Sequence, residues 1–216
     1  MQLVVFDLDG TLVDSARDIA ASVNAALEQL APASAPVPLE RVVSFVGEGA
    51  RVLIERVLLY QGLGLEADAV LPVYLQCYRE RALETTRLYA GIEDALAAVA
   101  AAGWKLAVLT NKPGDLSRSI LEGLGIAPRF ARIWGADDAP ARKPDPAGLL
   151  ALLRELEAPA AEAWVVGDSP TDVETARAAR VRIAGVLWGF DAPGVRAAAP
   201  DRLLENPREL VRLIVG

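Results

Sequence analysis

Residues 1–15, MQLVVFDLDGTLVDS, place two aspartates directly after an apolar run. The four apolar residues 3–6 (LVVF), two of them β-branched, predict a short strand that is covered on both faces. Because side chains alternate along a strand, Asp7 and Asp9 are expected on one side of its end, where two like charges need a cation or a proton between them. An alternative is that Asp9 only begins a hairpin turn with Gly10. The sequence that follows has helical spacing and offers no partner strand, which favours a site at the strand end.

The composition limits the kinds of protein that this chain can be. Of 216 residues, 53% are hydrophobic and 24% are charged, which is the balance of a globular chain. A net charge of −7 argues against a nucleic-acid or acidic-membrane partner. The longest uncharged, proline-free run, between Asp94 and Lys105, is too short to cross a bilayer, and no charged-then-apolar leader precedes the first strand. We therefore expect a cytoplasmic protein with no nucleic-acid and no membrane partner.

Two residue types narrow the chemistry by their scarcity. The chain has no histidine, which excludes Ser-His and Cys-His nucleophile systems and histidine-ligated zinc, so any acid–base work falls to carboxylates. Its single cysteine, Cys77, lies in a segment with helical spacing and is interpreted as a small apolar packing residue.

The second half of the chain alternates short apolar strands with helices. This alternation predicts an α/β fold with a doubly wound, Rossmann-like parallel sheet. The predicted strands after the opening one are residues 104–110, 131–136, 163–168 and 181–188, and a loop follows the last of them.

Residues 15–86 break this alternation, because they show helical patterns and no convincing strand. The predicted helices are residues 15–30, about 39–45, 50–61 and 67–86. The sequence therefore predicts a core of residues 1–14 and 87–216 that is interrupted by a helical insert of residues 15–86.

Chemically capable side chains follow four of the predicted strands of the core. Ligands of an open parallel sheet bind at the carboxyl ends of the strands, so these residues are expected to meet. They are Asp7 and Asp9, then Thr110, Asn111 and Lys112, then Asp137, Asp138 and Lys143, and finally Asp168, Ser169 and Asp172. Carboxylate and carbonyl oxygens suit a hard cation such as Mg²⁺, which also attracts phosphate.

Each of these groups has an ordinary explanation when it is taken alone. Ser169 and Asp172 suit the start of a helix, Lys143 suits a solvated surface, and Thr110 with Asn111 suits a polar turn. Those explanations do not account for the joint occurrence at four separate strand ends. The joint pattern favours a site for a cation and a phosphoryl group.

The sequence resembles the haloacid dehalogenase superfamily of phosphohydrolases in four motifs that occur in the family's order. The motifs are DLDGT (residues 7–11), Thr110 with Asn111, Lys143 in KPDP, and GDSPTD (residues 167–172). The resemblance spans the whole chain, since the helical insert stands where that family carries its cap domain. Within the superfamily the sequence is most similar to the phosphoglycolate phosphatase group, through the segments FVGEGARVLIERVL, LAVLTNKP, GADD and VVGDSPTDVETARAA.

The resemblance implies a two-step phosphomonoester hydrolysis that depends on Mg²⁺. Asp7 would be the nucleophile that forms an aspartyl-phosphate, and Asp9 would be the acid–base. The resemblance places Mg²⁺ on Asp7, the backbone carbonyl of Asp9, and Asp168.

Further positions are implied to bind or support the substrate. Thr110, the backbone amide of Asn111 and Lys143 would bind the phosphoryl oxygens. Thr11 and Asp172 would support the site, Asp172 by orienting Lys143 or the metal-bound waters.

The implied substrate is a small phosphorylated metabolite, with 2-phosphoglycolate favoured. Residues 47–50 (GEGA) are expected to form a cap loop over the site, with Gly49 allowing close backbone approach and Arg51 favouring an anionic tail. A plain turn between helices is the alternative for this loop. We expect a monomer or a weak homodimer.

Other functions stay open at this point. They are another small-molecule phosphatase of the same family, a sugar phosphomutase on the same scaffold, a phosphate-receiving signalling domain, and a catalytically idle binding protein. A signalling domain predicts adjacent acids on the first strand and about half this length, and the motif order here does not fit it.

One position departs from the family pattern. After GDSPTDVETARAA the family usually has a glycine, where this chain has Arg180. The residue just past a helix is often left-handed, which costs a residue with a side chain roughly 1 kcal/mol. Arg180 is therefore expected either to adopt that conformation or to follow a helix that ends differently, and to affect stability but not catalysis.

Overall fold

The computed structural model describes residues 1–216 and contains a six-stranded parallel sheet with helices on both faces. The strand order is β5-β4-β1-β6-β7-β8, and every neighbouring pair is parallel. The sheet strands are β1 (Leu3–Phe6), β4 (Lys105–Leu109), β5 (Arg132–Trp134), β6 (Ala163–Gly167), β7 (Arg182–Val186) and β8 (Arg202–Leu204). The core helices are α5 (Ile92–Ala101), α6 (Gly114–Gly123), α7 (Ala147–Glu155), α8 (Pro170–Ala178), α9 (Ala192–Ala197) and α10 (Pro207–Val215). The predicted α/β class with a doubly wound parallel sheet is confirmed.

The opening strand β1 lies inside the sheet, between β4 and β6. Its residues alternate between the two apolar layers: Val4 and Phe6 pack into the larger one, and Leu3 and Val5 into the smaller one. All four are buried, which explains why this strand reads as an unbroken apolar run. Its carboxyl end therefore delivers Asp7 to the middle of the sheet edge.

The insert is helical, as predicted, and leaves the core through a short antiparallel pair. This pair is β2 (Val13–Asp14) and β3 (Arg87–Leu88). Between them lie α1 (Ala16–Leu30), α2 (Leu39–Val43), α3 (Ala50–Gln61) and α4 (Ala67–Arg81). The exact division of the chain into two domains stays a prediction.

Helix α4 ends five residues earlier than the predicted position 86, at Arg81. The side chain of Asp18 accepts hydrogen bonds from the backbone N–H and the hydroxyl of both Thr85 and Thr86. These bonds hold the two threonines in the connection to β3, so they are not available to a helix. Asp18 thus fixes the return of the chain from the insert to the core.

The chain after β7 is more structured than the expected loop. It forms α9, a sixth sheet strand β8, and α10. Strand β8 has only three residues, which gives no recognisable period, whereas α10 buries Leu210 and Ile214 at helical spacing. The sequence prediction was wrong for this region.

The structure decides between the two alternatives for Arg180 and confirms that Cys77 is a packing residue. Arg180 has φ 57° and follows α8 in the left-handed conformation that the family pattern assigns to glycine. Cys77 is buried on the packed face of α4, where Gln29 Nε2 lies 3.4 Å from its sulfur. No helix combines the length and the apolar character needed to cross a membrane.

Candidate active site

Four charged side chains meet at the carboxyl edge of the sheet. Lys143 Nζ donates to Asp172 Oδ1 at 2.6 Å and lies 2.9 Å from Asp7 Oδ1. Asp168 is the third carboxylate of the group, and oxygens of Asp7, Asp168 and Asp172 lie within 4.8 Å of one another. All four residues are at most 9% exposed. The residues that the sequence analysis placed at separate strand ends therefore lie close together in the structure. We call Asp7, Lys143, Asp168 and Asp172 the Lys143 cluster.

The pKa values of this cluster follow from burial and from the excess of negative charge. Burial, opposed by Lys143 and helped by Asp172, raises the pKa of Asp7 to about 6. Burial and the neighbouring Asp7 and Asp172 raise the pKa of Asp168 well above its usual range. Burial alone would lower the pKa of Lys143, but the Asp172 and Asp7 carboxylates outweigh it and raise that pKa. Lys143 is therefore a firmly charged cation.

The Lys143 cluster fits a divalent cation. Three buried carboxylates face one lysine, which leaves the site short of positive charge. Asp7 Oδ1 is buried, and no group donates a well-directed hydrogen bond to it. Oxygen donors of this kind suit a hard cation such as Mg²⁺. Of the three carboxylates, Asp172 is the least available to bind a cation, because its oxygens already accept hydrogen bonds from Lys143 and from both the N–H and the hydroxyl of Ser169.

Ser169 and Asp172 also form the predicted helix start. The Ser169 hydroxyl accepts from the Asp172 N–H, and the Asp172 carboxylate accepts from the Ser169 N–H, which is a reciprocal cap of α8. Asp172 therefore caps the helix and belongs to the site at the same time, since its carboxylate also binds Lys143.

Thr110 and Asn111 lie beside this cluster and line the cavity above it. The Asn111 side chain binds both the N–H and the carbonyl of Lys143, and its Nδ2 also donates to the Gly47 carbonyl at 3.0 Å. It therefore fixes the backbone of Lys143 and ties it to the insert. This use of the Asn111 side chain was not predicted, and it leaves the backbone amide as the group proposed for the phosphoryl oxygens.

Asp9 has a separate set of partners. Lys112 Nζ donates to its two carboxylate oxygens at 3.0 and 2.9 Å, and the Ser15 hydroxyl donates at 2.5 Å. Lys112 also donates to the hydroxyl of Tyr78 on α4. Sequence reasoning placed Lys112 at a strand end but gave it no role. We call Asp9, Ser15, Lys112 and Tyr78 the Lys112 cluster.

A loop after β7 completes the floor of the site. The N–H of Phe190 donates to Asp168 Oδ2 at 2.7 Å, while the Thr11 hydroxyl donates to Asp168 Oδ1 at 3.2 Å. A side chain at Gly189 would lie 2.3 Å from Asp168 Cβ and from the Gly10 carbonyl, so only glycine fits there. Thr11 has the predicted supporting position, whereas this loop was missed because its contacts depend on how β7 is placed.

A cavity of about 290 Å³ separates the sheet edge from the insert. Asp7, Asp9, Lys112 and Asp168 line its floor, and Gly47, Gly49 and Ala50 line its roof beside apolar side chains of α3 and α4. The loop of residues 47–50 thus lies over the site, as the sequence analysis expected.

Arg51 does not belong to this cavity. Its guanidinium pairs with Glu55 at 2.9 Å and with Asp68, and its side chain is 46% exposed on the insert. Two acidic neighbours on its own helical layer hold it away from the site. Arg51 is thus not among the residues that line the cavity, and its expected role toward an anionic tail stays a prediction.

Asp137 and Asp138 are also displaced from the chemistry. Asp137 accepts from the N–H of Gly114, and Asp138 accepts from the N–H of Gly135 and pairs with Arg118. Both carboxylates are occupied in shaping the turns that precede α6 and follow β5. They do not line the cavity.

Comparison with known proteins agrees with this geometry. Residues 4–186 match the family model of haloacid dehalogenase-like hydrolases. The chain belongs to this family. The matched range includes all four motifs, the insert and the carboxyl edge of the sheet.

Similar proteins within the family carry phosphatase names. The chain is 35% identical to phosphoglycolate phosphatase 1 of Pseudomonas aeruginosa, over 97% of this chain and 78% of that protein. It is 41% identical to the phosphoglycolate phosphatase of Rhodospirillum rubrum, over 87% of this chain and 80% of that protein. A crystal structure of a predicted phosphoglycolate phosphatase from Haemophilus somnus superposes with a TM-score of 0.93 and 29% identity, covering 99% and 97% of the two chains. The chain is an enzyme of this phosphatase type.

Proposed function

We propose that the chain is a Mg²⁺-dependent phosphomonoester hydrolase that works through an aspartyl-phosphate, with 2-phosphoglycolate as its substrate. The observation that carries the proposal is the placement of Asp7. Its carboxylate faces the cavity beside Lys143, and the carboxylate of Asp9 lines the same cavity with separate partners. One site thus holds a carboxylate whose buried Oδ1 pairs with Lys143 without a well-directed hydrogen bond, and a second carboxylate that is suited to act as the acid–base.

In the first step a carboxylate oxygen of Asp7 attacks phosphorus, and the bond from phosphorus to the ester oxygen breaks. A carboxylate needs no base to act as a nucleophile at neutral pH. Asp9, protonated at this stage, gives its proton to the leaving oxygen. Thr110, the N–H of Asn111 and Lys143 bind the phosphoryl oxygens on which charge develops.

In the second step water displaces Asp7 from phosphorus. Asp9, now a carboxylate, takes a proton from the attacking water, and the bond from phosphorus to the Asp7 oxygen breaks. The products are inorganic phosphate and the original carboxylate of Asp7, with Asp9 protonated again. Asp172 keeps Lys143 pointed at the reacting group through both steps.

Asp7, Asp168 and the backbone carbonyl of Asp9 are the groups proposed to hold Mg²⁺. When bound, the ion supplies positive charge that reduces repulsion between the nucleophile and the phosphate. The Thr11 hydroxyl and the Phe190 N–H orient the Asp168 carboxylate for that role.

The choice of 2-phosphoglycolate rests on the similar proteins and on the small cavity. The roof of the cavity includes Gly49 and the start of α3, whose backbone N–H groups have no side-chain cap. We propose that the tail of the substrate meets this backbone instead of Arg51. The proposed partner is a small phosphorylated metabolite, and a cytoplasmic location and a monomer or weak homodimer remain proposals.

Phosphate release from a panel of small phosphomonoesters tests this function. The panel includes 2-phosphoglycolate, sugar phosphates and 4-nitrophenyl phosphate, with Mg²⁺ present, and the sugar phosphates are also assayed for isomerisation. We expect phosphate from 2-phosphoglycolate with the highest kcat/KM of the panel and no isomerised sugar. Isomerisation without phosphate release would replace the proposal by a phosphomutase, and phosphate release that favours another ester would replace the substrate.

A further inference from the structure

Lys112 is a buried lysine that the proposed chemistry does not use. It lies three residues beyond the end of β4, and its side chain is 4% exposed. A lysine is rarely buried unless its charge is paired, because removing an ammonium group from water is costly. The groups that surround Lys112 should therefore show what compensates for its burial.

The contacts of the ammonium group that the structure shows are all with side chains of the protein. Lys112 Nζ lies within hydrogen-bonding distance of Asp9 Oδ1, Asp9 Oδ2 and the Tyr78 hydroxyl. Lys112 is thus arranged to hold a side chain of the protein and not to bind a ligand.

The held side chain is the acid–base of the proposed function. The Ser15 hydroxyl donates to Asp9 Oδ1, while Lys112 contacts both oxygens. Together these contacts restrict rotation of the carboxylate. An acid–base must lie within hydrogen-bond reach of the proton that it moves, so restricting its orientation matters for rate.

Tyr78 brings the insert into this arrangement. It is 2% exposed on α4, and its ring stacks on Tyr74 with ring centres 5.8 Å apart. Lys112 Nζ donates to the hydroxyl of this tyrosine. Lys112, which extends from the core, is therefore bound to the insert through one buried side chain.

We propose that Lys112 is a positioning residue that fixes the side chain of Asp9, and that Tyr78 makes this positioning depend on the seating of α4 over the core. The proposal rests on the proposed function, in which Asp9 is the acid–base. After Asp9 has given its proton to the leaving oxygen, its carboxylate lies between Lys112 and Ser15, ready to take a proton from water.

The leaving group of the substrate provides the test. An alkoxide leaving group needs the proton of Asp9, whereas 4-nitrophenolate leaves without it. In Lys112→Met, we expect single-turnover phosphorylation of Asp7 by the best alkyl phosphate of the panel to slow by about 100-fold. Phosphorylation by 4-nitrophenyl phosphate should slow by no more than about threefold, and KM should change by a similarly small factor.

Tyr78→Phe is the second variant, because it removes one hydroxyl and keeps the buried ring. It should show the same dependence on leaving group with a smaller loss, about fivefold for the alkyl phosphate. Lys105→Met at the start of β4 and Tyr60→Phe on the exposed face of α3 are the controls, and both should match the wild type. Circular dichroism and thermal unfolding establish that each variant is folded.

A double-mutant cycle separates positioning from general damage. When Asp9 is already Asn, Lys112→Met should slow phosphorylation no further, since the group that it positions no longer carries a proton to give. Equal losses with both leaving groups in Lys112→Met or Tyr78→Phe, or a full extra loss in the Asp9→Asn background, would overturn the proposal. Wild-type protein that releases phosphate from no ester would instead overturn the proposed function.

Discussion

Lys143 and Lys112 are both 7% exposed and both face aspartates of the first motif, yet they are held in different ways. Lys143 contacts Asp7 and Asp172, which both come from the carboxyl edge of the core sheet. Lys112 contacts Asp9 in the core and Tyr78 on the insert. The side chain of Lys143 therefore contacts residues of the core alone, whereas the side chain of Lys112 contacts the core and the insert.

The charges of the two lysines differ accordingly. Burial is the strongest influence on each pKa, but two carboxylates outweigh it at Lys143 and raise that pKa. At Lys112 burial outweighs the Asp9 carboxylate, which is helped by Asp7 and Asp18, and lowers the pKa. We infer that the two lysines have different roles. Lys143 suits a permanent cation for the phosphoryl group, whereas the charge of Lys112 depends on its surroundings.

Removal of the metal should affect the Lys143 cluster and leave the Lys112 cluster intact. The Lys143 cluster has three carboxylates for one lysine, whereas the Lys112 cluster has one carboxylate for one lysine. We expect exhaustive EDTA treatment to abolish turnover and to lower the melting temperature, and added Mg²⁺ to restore both. A zinc-specific chelator is the control and should have no effect, because the chain has no histidine and one cysteine. Full activity after EDTA treatment would contradict the assignment.

Lys143→Met should give the next largest effect. It removes the cation proposed to bind the phosphoryl oxygens, and loss of such a donor costs about 100- to 1,000-fold in kcat. It also leaves Asp7 and Asp172 buried without their partner, which should destabilise the protein by about 3 kcal/mol in urea unfolding without Mg²⁺. Lys105→Met is the matched control. If Lys143→Met kept a tenth of wild-type kcat, Lys143 could not have the role described here.

Asp18→Asn tests the insert side of the comparison. Asp18 holds Thr85 and Thr86 where the chain returns from α4, so the substitution places an amide N–H₂ against groups that are themselves donors. We expect a loss of stability of about 2 kcal/mol at pH 7 in urea unfolding. Glu28→Gln, on the exposed surface of the same helix, is the control and should be neutral.

The loss in Asp18→Asn should depend on pH. Burial alone would raise the pKa of Asp18, but hydrogen bonds from Thr85 and Thr86 outweigh it and lower that pKa. A lowered folded-state pKa stabilises the protein above the usual pKa of aspartate, and this contribution is lost as the pH falls through the folded value. The difference between wild type and Asp18→Asn should therefore be constant above about pH 5 and shrink below about pH 4. A difference that grows on acidification would contradict this assignment.

Arg180→Gly should have the smallest effect and involve neither lysine. Arg180 has φ 57°, so glycine relieves the strain of a left-handed residue, at the cost of greater freedom in the unfolded chain. We expect a gain of about 0.5 to 1 kcal/mol with kcat unchanged. Glu157→Gly, at φ 52° just past α7, is the matched variant and should gain a similar amount. Lower stability of Arg180→Gly in chemical denaturation would show that contacts of Arg180 outweigh its strain.

The Lys143 cluster could be predicted from the sequence because parallel strands fix its geometry. Asp7 and Asp168 directly follow the buried strands β1 and β6, Lys143 lies in the segment after β5, and the carboxyl ends of parallel strands share one edge. The fold class followed from the same alternation of strands and helices. The helical insert followed from a segment with helical spacing and no strand.

The Lys112 cluster could not be predicted in this way. Which residue after β4 reaches Asp9 depends on where α4 places Tyr78, and no local pattern gives that distance. The position of Arg51 outside the cavity could not be predicted for the same kind of reason, since its partners Glu55 and Asp68 lie within the insert. The three-residue strand β8 was missed because it is too short to show a period.

The central claim is that Asp7 receives the phosphoryl group and Asp9 releases it to water. Intact-mass spectrometry of acid-quenched Asp9→Asn and Asp7→Asn, after incubation with Mg²⁺ and an ester that the wild type hydrolyses, tests both halves at once. The account predicts that Asp9→Asn accumulates one phosphoryl group, which peptide mapping places on Asp7, because the group that activates water is missing. It predicts no adduct and no turnover for Asp7→Asn. An unmodified Asp9→Asn together with normal turnover by Asp7→Asn would contradict the account.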